Sequence, residues 1–145
     1  MLKIAIGADH RGFIMKSDII KHKKIANKEI LWLDVGTFTK DRTDYPIYAK
    51  LAVEKILNKE ADLGVLICGS GIGMAIVANR YNGIYAGVVF NNQISKVAKE
   101  DDNVNVLVLP ADFISSVNYI ELISVWLKAE FKGGRYQERL DMIKR

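Results

Sequence analysis

One cysteine opens the stretch Cys68-Gly69-Ser70-Gly71-Ile72-Gly73. Glycines at alternate positions let the backbone turn tightly and bare its N–H groups, and Met74–Asn79 beyond them has the spacing of a helix. Unsatisfied amides beside a positive helix end form an anion hole. A thiol facing that field is expected to have a lowered pKa, because the same amides stabilise thiolate. The spacing G-x-G-x-G is not the G-x-G-x-x-G of a dinucleotide fingerprint, and the P-loop's Gly-Lys-Ser/Thr is missing. A lone cysteine has a plainer reading as inert packing. Its place at the end of an apolar run favours chemistry.

Such parts suit moving a carbonyl between adjacent carbons of a sugar. A base removes a carbon-bound proton and returns it to the neighbour, while donors hold the oxygens of the intermediate enediolate. Cys68 is the candidate base, the amides of Gly69–Gly73 the donors, and the Ser70 hydroxyl an assistant. No metal or organic cofactor is needed. With His10 and His22 the only histidines beside one cysteine, a structural zinc site has too few ligands. An anionic substrate group would seek Arg135 and Arg139, which share a face if their segment is helical, or His10. Plainer roles exist for several groups: Asp9 as a cap, His10 as a turn residue, Tyr45 as a wall and the two arginines as solvated surface.

The elements that position these groups are legible as near-continuous apolar runs at Leu2–Gly7, Ile30–Gly36, Leu63–Cys68, Ile84–Phe90 and Val104–Leu109. Continuous apolarity marks strands covered on both faces, hence a parallel sheet with helical crossovers. Asp44-Tyr45-Pro46 reads as a helix start leading into Ala49–Leu57. The alternation predicts an α/β three-layer sandwich with five parallel strands and a C-terminal helical tail. Ligands of such sheets bind beyond the carboxyl ends of the strands, where Asp9, His10, Tyr45 and the Cys68 run fall. Lys16, Lys21, Lys23, Lys24 and Lys28, interleaved with isoleucines, read as the solvated side of an early helix. Phe113–Leu127 carries one charge, Glu121, and reads either as a deeply packed helix or as one that also meets a second subunit. Lys132–Arg139 reads as a glycine break and a short basic helix.

The 145 residues fit one domain, 1–145, and 50% hydrophobic with 26% charged residues is an ordinary globular balance. No apolar run spans a bilayer, no signal peptide is expected, and one cysteine fits a reducing cytoplasm. The net charge of +4 comes without aromatic or recognition motifs, so neither nucleic acid nor membrane is an expected partner.

Five motifs in order, Gly7-Ala8-Asp9-His10-Arg11-Gly12-Phe13, Arg42-Thr43-Asp44-Tyr45-Pro46, Ile67–Gly73, Ala78-Asn79-Arg80 and Gly133–Arg139, resemble ribose-5-phosphate isomerase type B. That wider family also holds the galactose-6-phosphate isomerase subunits. The resemblance implies a Rossmann-like fold, a homodimer (or a dimer of dimers) with sites at the interface, and interconversion of ribose 5-phosphate and ribulose 5-phosphate in the pentose phosphate pathway. It implies Cys68 as proton acceptor, Gly69–Gly73 (Ser70 and Ile72 included) as the enediolate loop, and Asp9 and His10 as sugar contacts. Arg135 and Arg139 resemble phosphate-binding tail arginines that often reach across the dimer. The family's usual His-Asn-Asp-x-Asn reads here Asp101-Asp102-Asn103-Val104-Asn105, so Asp101 stands where a ring-opening histidine is usual, with Asp102 beside it as a substrate contact. An aspartate there accepts a proton from the anomeric hydroxyl but, ionised, donates none to the ring oxygen. Asp112 stands where the family often has a phosphate-binding arginine, and a carboxylate pointing inward would repel phosphate. The galactose-6-phosphate branch lacks the same histidine, which keeps a six-carbon phosphosugar as the alternative substrate. The tail favours the five-carbon branch. A non-catalytic sugar-phosphate binder would use the same glycine nest, whereas a thiol redox role lacks a second cysteine.

Overall fold

Strand β1 (Leu2–Ala8) and strand β4 (Leu63–Cys68) are buried on both faces, as their unbroken apolarity requires. Side chains alternate across the sheet. Ile4, Ile6, Val65 and Ile67 turn one way, and Ala5, Leu66 and Cys68 the other. The first face is covered by α1 (Phe13–Ile19), α4 (Asn92–Asp102) and α5 (Tyr119–Lys128), which bury Met15, Ile19, Ala98, Leu122, Ile123 and Trp126. The second is covered by α2 (Tyr45–Leu57) and α3 (Ile72–Ala78) through Ala49, Ala52, Val53, Met74 and Ala78. The three expected layers are present. This computed structural model describes residues 1–143; Lys144 and Arg145, the end of the domain expected over 1–145, lie outside the described residues.

The sheet has six strands, not five, in the order β2-β3-β1-β4-β6-β5. Five are parallel: β1, β3 (Lys28–Asp34), β4, β5 (Ala86–Val88) and β6 (Val106–Pro110). The sixth, β2 (Lys24–Ile25), pairs antiparallel with β3. The Ala26-Asn27 turn between them holds both residues at positive φ, 55° and 60°. From β1 the chain moves to β3 on one side and returns to β4 on the other. The sheet's switch point therefore falls between β1 and β4, and its crevice is the expected ligand position.

Several expectations are corrected. The lysine-rich segment is not one helix: α1 ends at Ile19, and Lys24 and Lys28 stand on strands. Nor is Lys16 solvated. It is 1% exposed, and its ammonium lies 2.8 and 2.7 Å from the two oxygens of Asp34 on β3. Phe113–Asn118 precedes α5 as turns, with Phe113 exposed. Leu122, Ile123, Trp126 and Leu127 of α5 are buried within their own chain, which supports the packed-helix reading. The glycine break holds, with Gly133 and Gly134 at φ 65° and 54° before α6 (Arg135–Asp141).

Candidate active site

The register of β1 on β4 pairs Ala8 with Ile67, which makes Asp9 and Cys68 neighbours at the carboxyl edge. Asp9 is 6% exposed. Its Oδ1 accepts from the N–H groups of Arg11 (3.0 Å) and Gly12 (3.2 Å), so the carboxylate does tie the turn before α1. The turn lies flat on β4: a Cβ at Gly12 would stand 2.7 Å from the Ile67 carbonyl oxygen. Glycine is what permits that approach.

Cys68 ends β4 facing the α2–α3 layer, 5% exposed. The backbone dipoles of Met74, Gly71 and Ser70 act on its sulfur to lower its pKa. They do not prevail. Burial, helped by the negative charge of Asp9, pushes the thiol above its ordinary value, contrary to the sequence expectation. Removing water from the thiolate costs more than three amide dipoles return.

The loop that follows is shaped by its glycines. Gly71 adopts φ 75°, a left-handed conformation that a side chain strains. The Tyr45 ring lies against Gly73, where a Cβ would come within 2.5 Å of it. Ser70 Oγ accepts from the Ile72 N–H at 3.1 Å and keeps its own O–H to donate. His10 Nδ1 accepts from the Thr43 N–H at 3.2 Å, which leaves Nε2 as the donor. Thr43 Oγ1 is 2.8 Å from the Tyr48 hydroxyl.

One pair at this rim was not foreseen. Arg11 Nη2 lies 3.1 Å from Asp112 Oδ2, over Gly69. The carboxylate expected to repel an anion is therefore neutralised. Sequence reading assigns no role to Arg11 or Thr43; the available signal was their place in the motifs Gly7–Phe13 and Arg42–Pro46.

The remaining candidates are elsewhere. Helix α4 runs back from the end of β5, so Asp101 and Asp102 lie at the amino edge of the sheet. Pairing of Gly64 with Val106 and of Cys68 with Pro110 measures the gap: four residues, roughly 13 Å along a strand. Asp101 Oδ1 is 3.2 Å from Lys132 Nζ, and Asp102 lines a 750 Å³ cavity beside β5 with Tyr81, Val97 and Leu140. Arg135 and Arg139 stand on one face of α6, both over the Tyr136 ring at 4.9 and 5.5 Å. Within one chain, then, Asp9, His10, Tyr45, Cys68 and Gly69–Gly73 converge, while Asp101, Asp102, Arg135 and Arg139 form a separate group.

A doubly covered parallel sheet with a thiol, a glycine nest and an aspartate–histidine pair at its switch point is an α/β site for a small polar ligand. The ribose/galactose isomerase family profile matches residues 4–143, and the chain belongs to that family. Ribose-5-phosphate isomerase B of Escherichia coli is 36% identical over 143 residues, covering 99% of this chain and 95% of that protein. The type B ribose 5-phosphate isomerase of Trypanosoma brucei superposes with a TM-score of 0.94 at 35% identity, over 99% of this chain and 97% of that one. A Mycoplasma genitalium ribose-5-phosphate isomerase B solved with bound ribulose-5-phosphate gives 0.89 at 37% identity, over 98% and 93%.

Proposed function

We propose that the chain is an aldose–ketose isomerase that interconverts ribose 5-phosphate and ribulose 5-phosphate through an enediolate. The observation that carries this is Cys68 at the carboxyl end of β4, beside Asp9 and followed by the glycine turn that starts α3. Cys68, as thiolate, takes the proton from C2 of the open-chain aldose and returns it to C1. Negative charge accumulating on the sugar oxygens meets the loop amides of Gly69–Gly73, fixed before reaction and needing no reorganisation. The Ser70 O–H donates to the same oxygens, while His10 Nε2 and Asp9 contact sugar hydroxyls. Tyr45 closes one side.

The second group of residues belongs to this reading through symmetry. Arg135, Arg139, Asp101 and Asp102 lie too far along the sheet to serve their own Cys68, but in a homodimer they serve the partner's. Arg135 and Arg139 then hold the phosphate, and Asp101 accepts the anomeric proton on ring opening while solvent protonates the released ring oxygen. The apolar surface for such pairing lies on α2 and α3, where Ile47, Leu51, Ile72 and Ile76 are exposed. Among the described residues no helix is long and apolar enough to cross a membrane, and with one cysteine the reading places the enzyme in a reducing cytoplasm.

Purified protein given ribose 5-phosphate is expected to form ketose with solvent hydrogen entering the substrate. Cys68→Ala abolishes that exchange and keeps the fold by circular dichroism. Retained exchange in the variant removes Cys68 as base, and no turnover between pH 6 and 9 leaves only a binder. Galactose 6-phosphate in the same assay tests the six-carbon alternative.

A further inference from the structure

We propose that Arg11, held by Asp112 over the glycine loop, receives the anionic end of the substrate from the same chain that supplies Cys68. The inference rests on the isomerase reading above and adds a cation to it. In the sheet order β1-β4-β6, Arg11 follows β1, Asp112 follows β6, and Gly69 follows β4 between them. The pair thus spans the mouth of the loop. A Cβ on Gly69 would stand 2.7 Å from Asp112 Oδ2 and 3.0 Å from Arg11 Nη1, so the guanidinium rests directly on the residue after Cys68.

Both partners are fixed by backbone. The Arg11 N–H donates to Asp9 Oδ1. The N–H groups of Ala111 and Asp112 donate to the carbonyls of Cys68 and Gly69, at 2.9 and 3.0 Å. The contact between the charges is a single Nη2–Oδ2 approach, and the Arg11 side chain is 59% exposed. A guanidinium carries five N–H donors, so most of its fork is free for an anion. Asp112 sets its direction and also competes for it. That competition gives the pair an opposite-sign signature.

If Arg11 binds the anion, removing it and removing its competitor act in opposite directions. Arg11→Ala is expected to raise KM for ribose 5-phosphate roughly tenfold, the size of one lost charged hydrogen bond, with a smaller change in kcat. Arg11→Lys restores part of the loss. Asp112→Asn is expected to lower KM several-fold. Calorimetric titration with inorganic phosphate moves the same way for each variant and needs no turnover, so it reads the inference even if the isomerase reading fails. A merely structural strap predicts that Arg11→Ala and Asp112→Asn impair the enzyme alike. That result, or phosphate affinity unchanged in Arg11→Ala, overturns the proposal.

Discussion

At the residue scale the thiol sets the pH behaviour. A base must be deprotonated to act, and burial raises the Cys68 pKa above its ordinary value of 9.0. At neutral pH the free enzyme is therefore mostly thiol, and its active fraction grows about tenfold per pH unit while pH stays below that pKa. The expected profile of kcat/KM climbs from pH 6 to 8.5 without a plateau; a plateau near pH 7 would show that the lowering amides win. The glycines give a paired prediction. Gly12→Ala drives a Cβ against the Ile67 backbone, which cannot swing aside, so the variant is expected to lose roughly 2–3 kcal/mol in urea unfolding. Gly69→Ala meets two side-chain ends, Asp112 and Arg11, that can move; it should fold near wild-type stability and lose activity. Position of the reactive residues was readable, because strand-end glycines and a cysteine carry spacing. Protonation was not, because desolvation depends on what covers Cys68, and Arg11–Asp112 joins two turns with no shared pattern.

At the element scale, legibility followed the strength of the local signal. Strand β4 occupies the expected Leu63–Cys68, and Tyr45-Pro46 starts α2 after Asp44 as read. Strand β5 shrinks to Ala86–Val88 within the apolar run Ile84–Phe90, at a sheet edge where it pairs with β6. The β2–β3 hairpin escaped notice because two residues show no period and its turn is Ala26-Asn27, not a glycine pair. Lys16 escaped notice because its partner is on another element. Reaching from α1 to β3, the Lys16 ammonium pairs with Asp34, whose Oδ1 also accepts the Gly36 N–H at 2.9 Å. Gly36 and Thr37 in turn bond to Ala8, just before Asp9. Lys16→Met leaves a partly buried carboxylate unpaired and is expected to cost about 3 kcal/mol, the low end for a broken buried pair because Asp34 keeps some solvent. Urea unfolding measures it, and Lys16→Met/Asp34→Asn should recover much of the loss. Equal losses in the single and double variants would show that packing of the lysine stem, not the charge, matters.

For the whole molecule, the proposed reaction draws on two residue groups at opposite edges of one sheet. A two-fold axis places the same surface on both subunits, so a tail reaching out from one chain is matched by a tail reaching in. Sequence reading offered α5 either as a deeply packed helix or as one that also meets a second subunit. That helix packs its apolar side chains inside, while α2 and α3 expose Ile47, Leu51, Ile72 and Ile76. Leu51→Glu with Ile76→Glu is accordingly expected to yield monomers in sedimentation and to lose turnover. The stronger test mixes two crippled proteins. Cys68→Ala chains and Arg139→Ala chains are each expected to be nearly inactive at low substrate. In a hybrid dimer one site inherits both lesions, while the other combines an intact Cys68 with an intact Arg139. Random reassortment makes half the dimers hybrids with half their sites whole, so about a quarter of wild-type activity should return. A site confined to one chain has no intact copy in any hybrid, and mixing would then restore nothing.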